Sequence, residues 1–517
     1  MTAAWARGFA AGSGYSVNFQ AAQTPGHLAL VCAMAGVDWA PRARMAVADL
    51  GCGRGYTANL LAAANPEWTV LGLDAEPASI AEATQFAATA GLPNALFSEA
   101  DLGAMADAEI DRLPPLDVVM LHGVWSWVSD AVRGGIVRLL ARRLKPGGLV
   151  YVGYNALPAA GVDAGLQRLL RHLAGAFGSG AGEAAAAAQR AMGRLRDLAP
   201  GLPLPRSPML ARLLADPAVL EAGFVAQEFL TAHWRPSFQA DLARELQAAK
   251  LSFVGSAHLF EALPGLFCEP SQLEVMAGLG AGVPREFIKD LCLPRAFRAD
   301  VFIRGARAVD PLVALERLVL TASRALPEES PGLGTGASHA VLDQAVWAGI
   351  RAALSEAPMA LGTLRARLGD KPPHPAELLA VLSGTDCVLP VWRAQWGEPG
   401  GRPGGGPEGG PGGGPWGGPG GGPGGRPWGK PEGVPGGGLG VAPGGRHPSR
   451  RFNLAAAKAY GDATQGHFAL ASPLLAGGLP ASGPELRQVA ALLRGDTPDD
   501  TVNPGRMAVW RGLGIVD

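Results

Sequence analysis

The sequence predicts an α/β protein in which a doubly wound, mainly parallel sheet is followed by a smaller helical module. Three observations carry this reading. Between residues 45 and 154 five apolar runs of strand character, MAVADL, WTVLGLD, NALFSEA, LDVVMLH and LVYVGYN, alternate with stretches whose apolar residues recur at helical spacing. The first run leads directly into Asp49-Leu50-Gly51-Cys52-Gly53-Arg54-Gly55, a glycine-rich turn between a strand and a helix. The helical stretches at 56–64, 77–90 and 130–144 are punctuated by Gly91 and by the Lys145-Pro146-Gly147-Gly148 turn, which act as stops.

Beyond the fifth run the pattern changes. Residues 160–215 are helical and rich in Arg and Ala, with LQRLLRHLAGAF and EAAAAAQRAMGRLRDL separated by a Gly-Ser-Gly break, and read as an inserted helical hairpin, with homodimerisation as one role open to it. A helix at 238–249, the run LSFVGSAHL and the run ADVFIRGA at 299–306 then supply strands six and seven, Val301 and Ile303 alternating with Phe302 and Arg304. On that reading residues 216–309 complete the sheet begun by residues 1–159. A chain cut at Pro236 would expose an apolar sheet edge, whereas one ending near Asp310 is expected to fold alone.

Residues 310–396 hold three short helices, 341–354, 361–368 and 375–382, and then CVLPVW, the order of a winged-helix-like domain. Its PAELLAVL helix has no Lys or Arg, which argues against reading DNA. Residues 397–448 contain 26 Gly and 12 Pro in 52 positions and are expected to be a disordered linker. The tail at 449–517 carries enough Leu, Ala and Val to pack on the winged-helix-like domain.

The whole chain excludes several classes. Its 517 residues carry 44 Lys+Arg against 45 Asp+Glu, so the basic footprint of a general nucleic-acid or anionic-membrane binder is missing. Cys32, Cys52, Cys268, Cys292 and Cys387 form no C-x-x-C pair and are odd in number, which points away from a zinc site or a disulfide framework. The first residues lack a charged segment followed by an apolar one, and no run approaches the ~20 apolar residues of a membrane span. The expectation is a cytoplasmic protein with neither a metal nor a membrane partner.

The chemistry starts at the glycine loop. Gly51, Gly53 and Gly55 let a ligand approach the backbone and expose a helix N-terminus, while position 56, where a dinucleotide fingerprint needs Gly, is Tyr56. Asp74 ends the second strand, where a carboxylate accepts hydrogen bonds from a ribose diol; a helix cap near Pro77 is the alternative. Asp101 lies just past the third strand, where an adenine amino group is read, or caps a loop.

These elements together resemble the class I S-adenosylmethionine-dependent methyltransferases. The resemblance narrows at His122-Gly123-Val124-Trp125-Ser126-Trp127-Val128 and Tyr151-Val152-Gly153-Tyr154-Asn155-Ala156-Leu157-Pro158. Gly14-Tyr15, Gln23-Thr24-Pro25, Glu228-Phe229 and His233-Trp234-Arg235-Pro236 add to it, and the chain resembles the bacterial methyltransferases that carry a methyltransferase regulatory domain. That family includes protein-lysine methyltransferases acting on outer-membrane proteins. Leu157-Pro158-Ala159-Ala160 and Gln227 depart from its pattern on the acceptor side. The resemblance implies a seven-stranded Rossmann-like sheet with a helical insertion. It also implies S-adenosylmethionine as cofactor, held by Asp49, Gly51, Gly53, Gly55, Asp74 and Asp101, with Tyr15 as part of a lid and His122 at its edge.

At the acceptor end His122 holds the acceptor or relays its proton, or else bonds a loop backbone. Trp125 and Trp127 line the acceptor channel or pack under the next helix. Tyr154 and Asn155 end strand five with polar groups toward the same rim, and at least one is expected to touch substrate. The acceptor expected is a protein lysine. A small-molecule acceptor, with the extra modules gating the pocket, and a non-catalytic S-adenosylmethionine-binding regulator are the competing readings.

Overall fold

A computed structural model describes residues 17–176, 184–198, 211, 226, 229–278, 285–293, 295–335, 338–392, 447–463, 466–497 and 502–517. The expectations for Tyr15, for Gln227 and Glu228, and for nearly all of the Gly/Pro tract fall outside them.

The amino-terminal helix α1 (Pro25–Met34) precedes β1 (Ala46–Leu50), α2 (Tyr56–Ala64), β2 (Thr69–Asp74), α3 (Pro77–Ala90) and β3 (Ala95–Glu99). Then come α4 (Asp107–Arg112), β4 (Leu116–His122), α5 (Asp130–Arg143) and β5 (Leu144–Asn155). Every strand and helix expected up to Asn155 is present, and the helix ends follow local chemistry. The Thr24 and Ser129 side chains accept from the backbone amides of His27 and Val132, and Gly91 closes α3 in the left-handed region. The Lys145–Gly148 turn survives as an irregularity, because Leu144 pairs with Leu116 whereas Leu149 pairs with Val118.

The hairpin follows as α6 (Ala164–Ala176) and α7 (Ala184–Leu198), with Leu166, Leu170, Ala188 and Leu195 in a small core of its own. Beyond it β6 (Leu251–Ser256) and β7 (Phe297–Arg304) join the main sheet, whose order is β3-β2-β1-β4-β5-β7-β6. Strands one to five are parallel, and β7 runs antiparallel to both β5 and β6. Strands six and seven therefore complete one sheet, as the alternation in ADVFIRGA requires.

Residues such as Val47, Met120 and Tyr151 pack one face of the sheet against α1 and α2. Leu50, Val119 and Val152 pack the other against α5 and the helix Gln239–Leu246. Strand order reverses between β1 and β4, so their carboxyl ends open the crevice in which such sheets bind ligands.

Residues 319–390 contribute a second sheet, β8 (Val319–Ala322) flanked antiparallel by β11 (Met359–Ala360) and β12 (Val388–Pro390). A short ribbon of β9 (Leu333–Thr335) and β10 (Ser338–Ala340) lies between β8 and β11 in sequence. The helices Gln344–Glu356, Leu361–Ala366 and Pro375–Gly384 accompany this sheet, close to the three expected.

The tail corrects the expectation that it packs on this module. The helix Pro448–Tyr460 and the hairpin of β13 (Phe468–Ala471) and β14 (Gly478–Ala481) lie largely on α2 and α3. Tyr56 is the reason: its ring meets Phe452, Tyr460 and Phe468, and its hydroxyl donates to the Ala469 carbonyl at 2.7 Å. Arg506 still reaches the second module through the Ser323 carbonyl. Phe19 N–H donates to His467 O at 2.8 Å, tying the tail to the start of the described chain. The tail thus covers helices of the main sheet, and a chain ending near Asp310 would strip a buried aromatic cluster from α2.

Candidate active site

Backbone conformation shapes the loop after β1. Gly51, Gly53 and Gly55 all have positive φ, at 73°, 51° and 67°, a region that L side chains rarely adopt. A Cβ on Gly51 would lie 2.4 Å from Val124 Cγ2, so the loop after β4 closes directly over the glycine turn.

Asp74 completes that turn. Its Oδ2 accepts from the Gly53 amide at 2.8 Å and its Oδ1 from the Glu76 amide at 2.9 Å, while Glu76, not Asp74, caps α3. Asp49 lies beneath, its carboxyl pushed up to about 7 by burial and then by the neighbouring Asp74 charge. Neither carboxylate has an ion-pair partner among the described residues. Gln23, buried against the first turn of α2, donates to Thr57 Oγ1 at 3.2 Å and leaves its Oε1 without a partner.

The two desolvated carboxylates form a cradle of acceptors at the glycine turn, with the orphaned Gln23 oxygen near the first turn of the helix that follows it. A cationic ligand with an ammonium group and a hydroxyl pair supplies the donors that it lacks, and S-adenosylmethionine fits on that ground. Asp101 Oδ1 accepts from the Gly103 and Ala104 amides, which fixes the loop after β3.

The rim at β4 and β5 differs in character. His122 Nδ1 lies 2.9 Å from Tyr151 Oη, and burial holds its imidazole down at about 4, so it is neutral at physiological pH. Phe297 packs against the ring at 5.2 Å between centroids. Gly153 makes room for it, since a Cβ there would lie 2.8 Å from His122 Nδ1. Asn155 N–H donates to Ser126 Oγ at 2.8 Å, whereas its own Oδ1 is buried without a partner. His122 and Asn155 thus stand at the ends of adjacent strands, one turned to a hydrogen-bond partner and one still lacking it.

The other expected residues take packing roles. Trp125 is fully buried beneath the Arg133 guanidinium, 5.2 Å from its ring, and Trp127 stacks on Trp234 at 5.9 Å. Tyr154 is fully buried and donates to Asp300 Oδ2 at 2.7 Å, away from any open rim. It joins a network that the sequence did not reveal: Arg298 pairs with Asp300, Asp290 and Glu286, and Arg295 with Asp290 and Glu261. Burial pushes the Asp290 carboxyl up to about 6. No sequence signal gathers these charges, because their four elements meet only once β7 has paired with β5.

Known proteins match this architecture in segments. The family described as "Methyltransferase domain" matches residues 47–148, and "Predicted methyltransferase regulatory domain" matches residues 221–304. An uncharacterised protein of Synechocystis is 29% identical over 328 residues, covering 61% of this chain and 62% of that protein. Trans-aconitate 2-methyltransferase of Methylobacterium nodulans is 36% identical over 144 residues, 28% of this chain and 50% of that enzyme. The chain therefore spans only about half to three fifths of the length of these relatives.

Among solved structures, PKMT2 from Rickettsia typhi superposes with a TM-score of 0.54 at 17% identity, covering 73% of this chain and 76% of that one. Its complex with AdoHcy superposes at 0.53. The methyltransferase-domain match over residues 47–148 and the fold shared with PKMT2 give the main sheet the seven-stranded, Rossmann-like architecture of class I methyltransferases. The segment that matches the regulatory-domain description, residues 221–304, supplies β6 and β7 of that sheet.

Proposed function

We propose that the protein transfers a methyl group from S-adenosylmethionine to the ε-amine of a protein lysine. The observation that carries this is the buried, unpartnered Oδ1 of Asn155 at the end of β5. An orphaned acceptor costs about 1–3 kcal/mol, and an amine N–H would satisfy it.

S-adenosylmethionine supplies, when bound, a methyl group already activated by its sulfonium. The chain has to hold a neutral amine in line with that methyl and exclude water. A free lysine titrates near ~10.4, and desolvation at the rim favours its neutral form. His122, neutral and oriented through Nδ1 by Tyr151, leaves Nε2 as the nitrogen that bonds the amine or relays its proton. The structural likeness to PKMT2 of Rickettsia typhi and the regulatory domain support a macromolecular acceptor. The winged-helix-like reading of residues 310–396 belongs to the same proposal, as a platform for that acceptor.

The match to trans-aconitate 2-methyltransferases favours a second reading, a small carboxylate acceptor. Incubation of the purified chain with methyl-labelled S-adenosylmethionine and host-cell lysate separates the two. Label in the protein fraction, recovered as methyl-lysine on hydrolysis, supports the first reading, and label confined to small molecules rejects it.

A further inference from the structure

A second pocket lies between α5 and the segment that runs from Arg235 into the helix Gln239–Leu246. It has a volume of about 410 Å³ and is lined by Asp130, Arg133, Gly134, Val137, Arg235 and Glu245. Its distinctive member is Arg133, an arginine only 2% exposed. Arg133 Nε donates to the Trp125 carbonyl at 2.9 Å and Nη2 to the Arg235 carbonyl at 3.1 Å. Nη1 is buried with no partner, and no carboxylate among the described residues pairs with the guanidinium. The Trp125 ring 5.2 Å from the guanidinium offsets part of the cost of burying this permanent charge, and an anionic partner would offset the rest.

The neighbouring charges leave that need unmet. Arg235 Nη1 pairs with Asp130 at 2.7 Å and Nη2 with Glu245 at 3.1 Å, so one arginine occupies both carboxylates of the pocket. The remaining positive charge is that of Arg133. The wall also has an opening without a structural reason. Gly135 must be glycine, because a Cβ there would lie 1.7 Å from the Leu102 carbonyl oxygen, but a Cβ on Gly134 meets nothing within 4 Å among the described residues. A helix-interior glycine costs about 1 kcal/mol relative to alanine, and here it leaves the approach to the pocket clear.

We propose that this pocket binds a small oxyanion, a carboxylate or a phosphoryl group, on the Arg133 guanidinium. The site is separate from the cofactor cradle and from the rim at Asn155. It adjoins both through the 122–128 loop, since Arg133 holds the Trp125 carbonyl and the Arg235 amide donates to Ser126 O at 2.8 Å.

The test is calorimetric titration of the full chain with citrate and, separately, inorganic phosphate, at ionic strength held constant with sodium chloride. At least one anion should bind saturably with a stoichiometry near one, citrate alone marking a polycarboxylate site and phosphate alone a phosphoryl site. Arg133→Gln should weaken binding at least tenfold. Gly134→Leu, which fills the pocket and strengthens the helix, should weaken it equally without lowering the thermal midpoint. Saturating S-adenosylhomocysteine should leave the binding in place. Saturation by neither anion, wild-type binding by Gly134→Leu, or displacement by S-adenosylhomocysteine would each overturn the proposal.

Discussion

Replacing Asn155 by alanine separates a residue kept for function from one kept for the fold. Its side-chain oxygen is buried and unpartnered, and its backbone amide, which donates to Ser126 Oγ at 2.8 Å, survives the substitution. Removing an unsatisfied acceptor recovers about 1–3 kcal/mol of desolvation, set against about 1 kcal/mol for the lost methylene packing. The net is a stability change between zero and a gain of about 2 kcal/mol. Turnover moves the other way: an acceptor that orients the neutral amine contributes about 0.5–1.5 kcal/mol once paired, so kcat should fall roughly two- to tenfold. The assay combines a denaturant midpoint with initial rates at saturating S-adenosylmethionine, and S-adenosylhomocysteine affinity should stay within about twofold. A variant destabilised by more than 1 kcal/mol with unchanged kcat would show that Asn155 serves the fold, and the argument would fail.

Other consequences follow from the same geometry. Asp74→Ala should weaken S-adenosylhomocysteine binding at least a hundredfold by calorimetry and should also cost about 1–3 kcal/mol of stability, because the Gly53 and Glu76 amides lose their acceptor; unchanged affinity in a folded variant would remove it from the cradle. Asp49 is held at about 7 in the free protein, so cofactor affinity should rise as pH is raised from 6 to 8 and its proton leaves, and Asp49→Asn should flatten the profile. The imidazoles of His27 and His122 fall to about 4 on burial, below the ~6.5 of a free histidine, so the unfolded chain binds more protons between those values. Their contribution to stability is therefore complete above about pH 6.5 and declines as pH falls towards 4; a His27→Gln variant should show a shallower decline in urea midpoint across that window. A chain ending at Asp310 should aggregate or lose cofactor binding, and a soluble, binding-competent fragment would show that the aromatic cover on Tyr56 is dispensable.

The sheet was legible because its signals are local. Alternation in ADVFIRGA and the glycine turn after MAVADL each report backbone geometry within a few residues, and β7 and the β1–α2 loop lie where those patterns put them. Asp49, Asp74 and the glycines converge for the same reason, since a parallel sheet brings the ends of β1 and β2 together automatically. What lay beyond reach is long-range. Tyr56 meets Ala469 across 413 positions of sequence, so nothing near either residue announces that the tail covers α2. Tyr154 and Asn155 looked equivalent at the end of β5. The pleat turns them to opposite faces, sending one hydroxyl to Asp300 and leaving the other residue's oxygen unpaired. Trp125 shows the converse: an aromatic beside the rim in sequence lies under Arg133, because the loop turns inward before α5.

The central claim is that the cradle formed by Asp49, Gly53 and Asp74 receives the cofactor while His122 and Asn155 face the acceptor. A crystal structure of the full chain with S-adenosylhomocysteine and a lysine-containing acceptor peptide tests both halves in one measurement. The account predicts ribose hydroxyls on the Asp74 carboxylate and the lysine nitrogen within hydrogen-bond distance of Asn155 Oδ1. Cofactor density away from Asp74, or a lysine approaching from the Tyr154 face of the sheet, would contradict it.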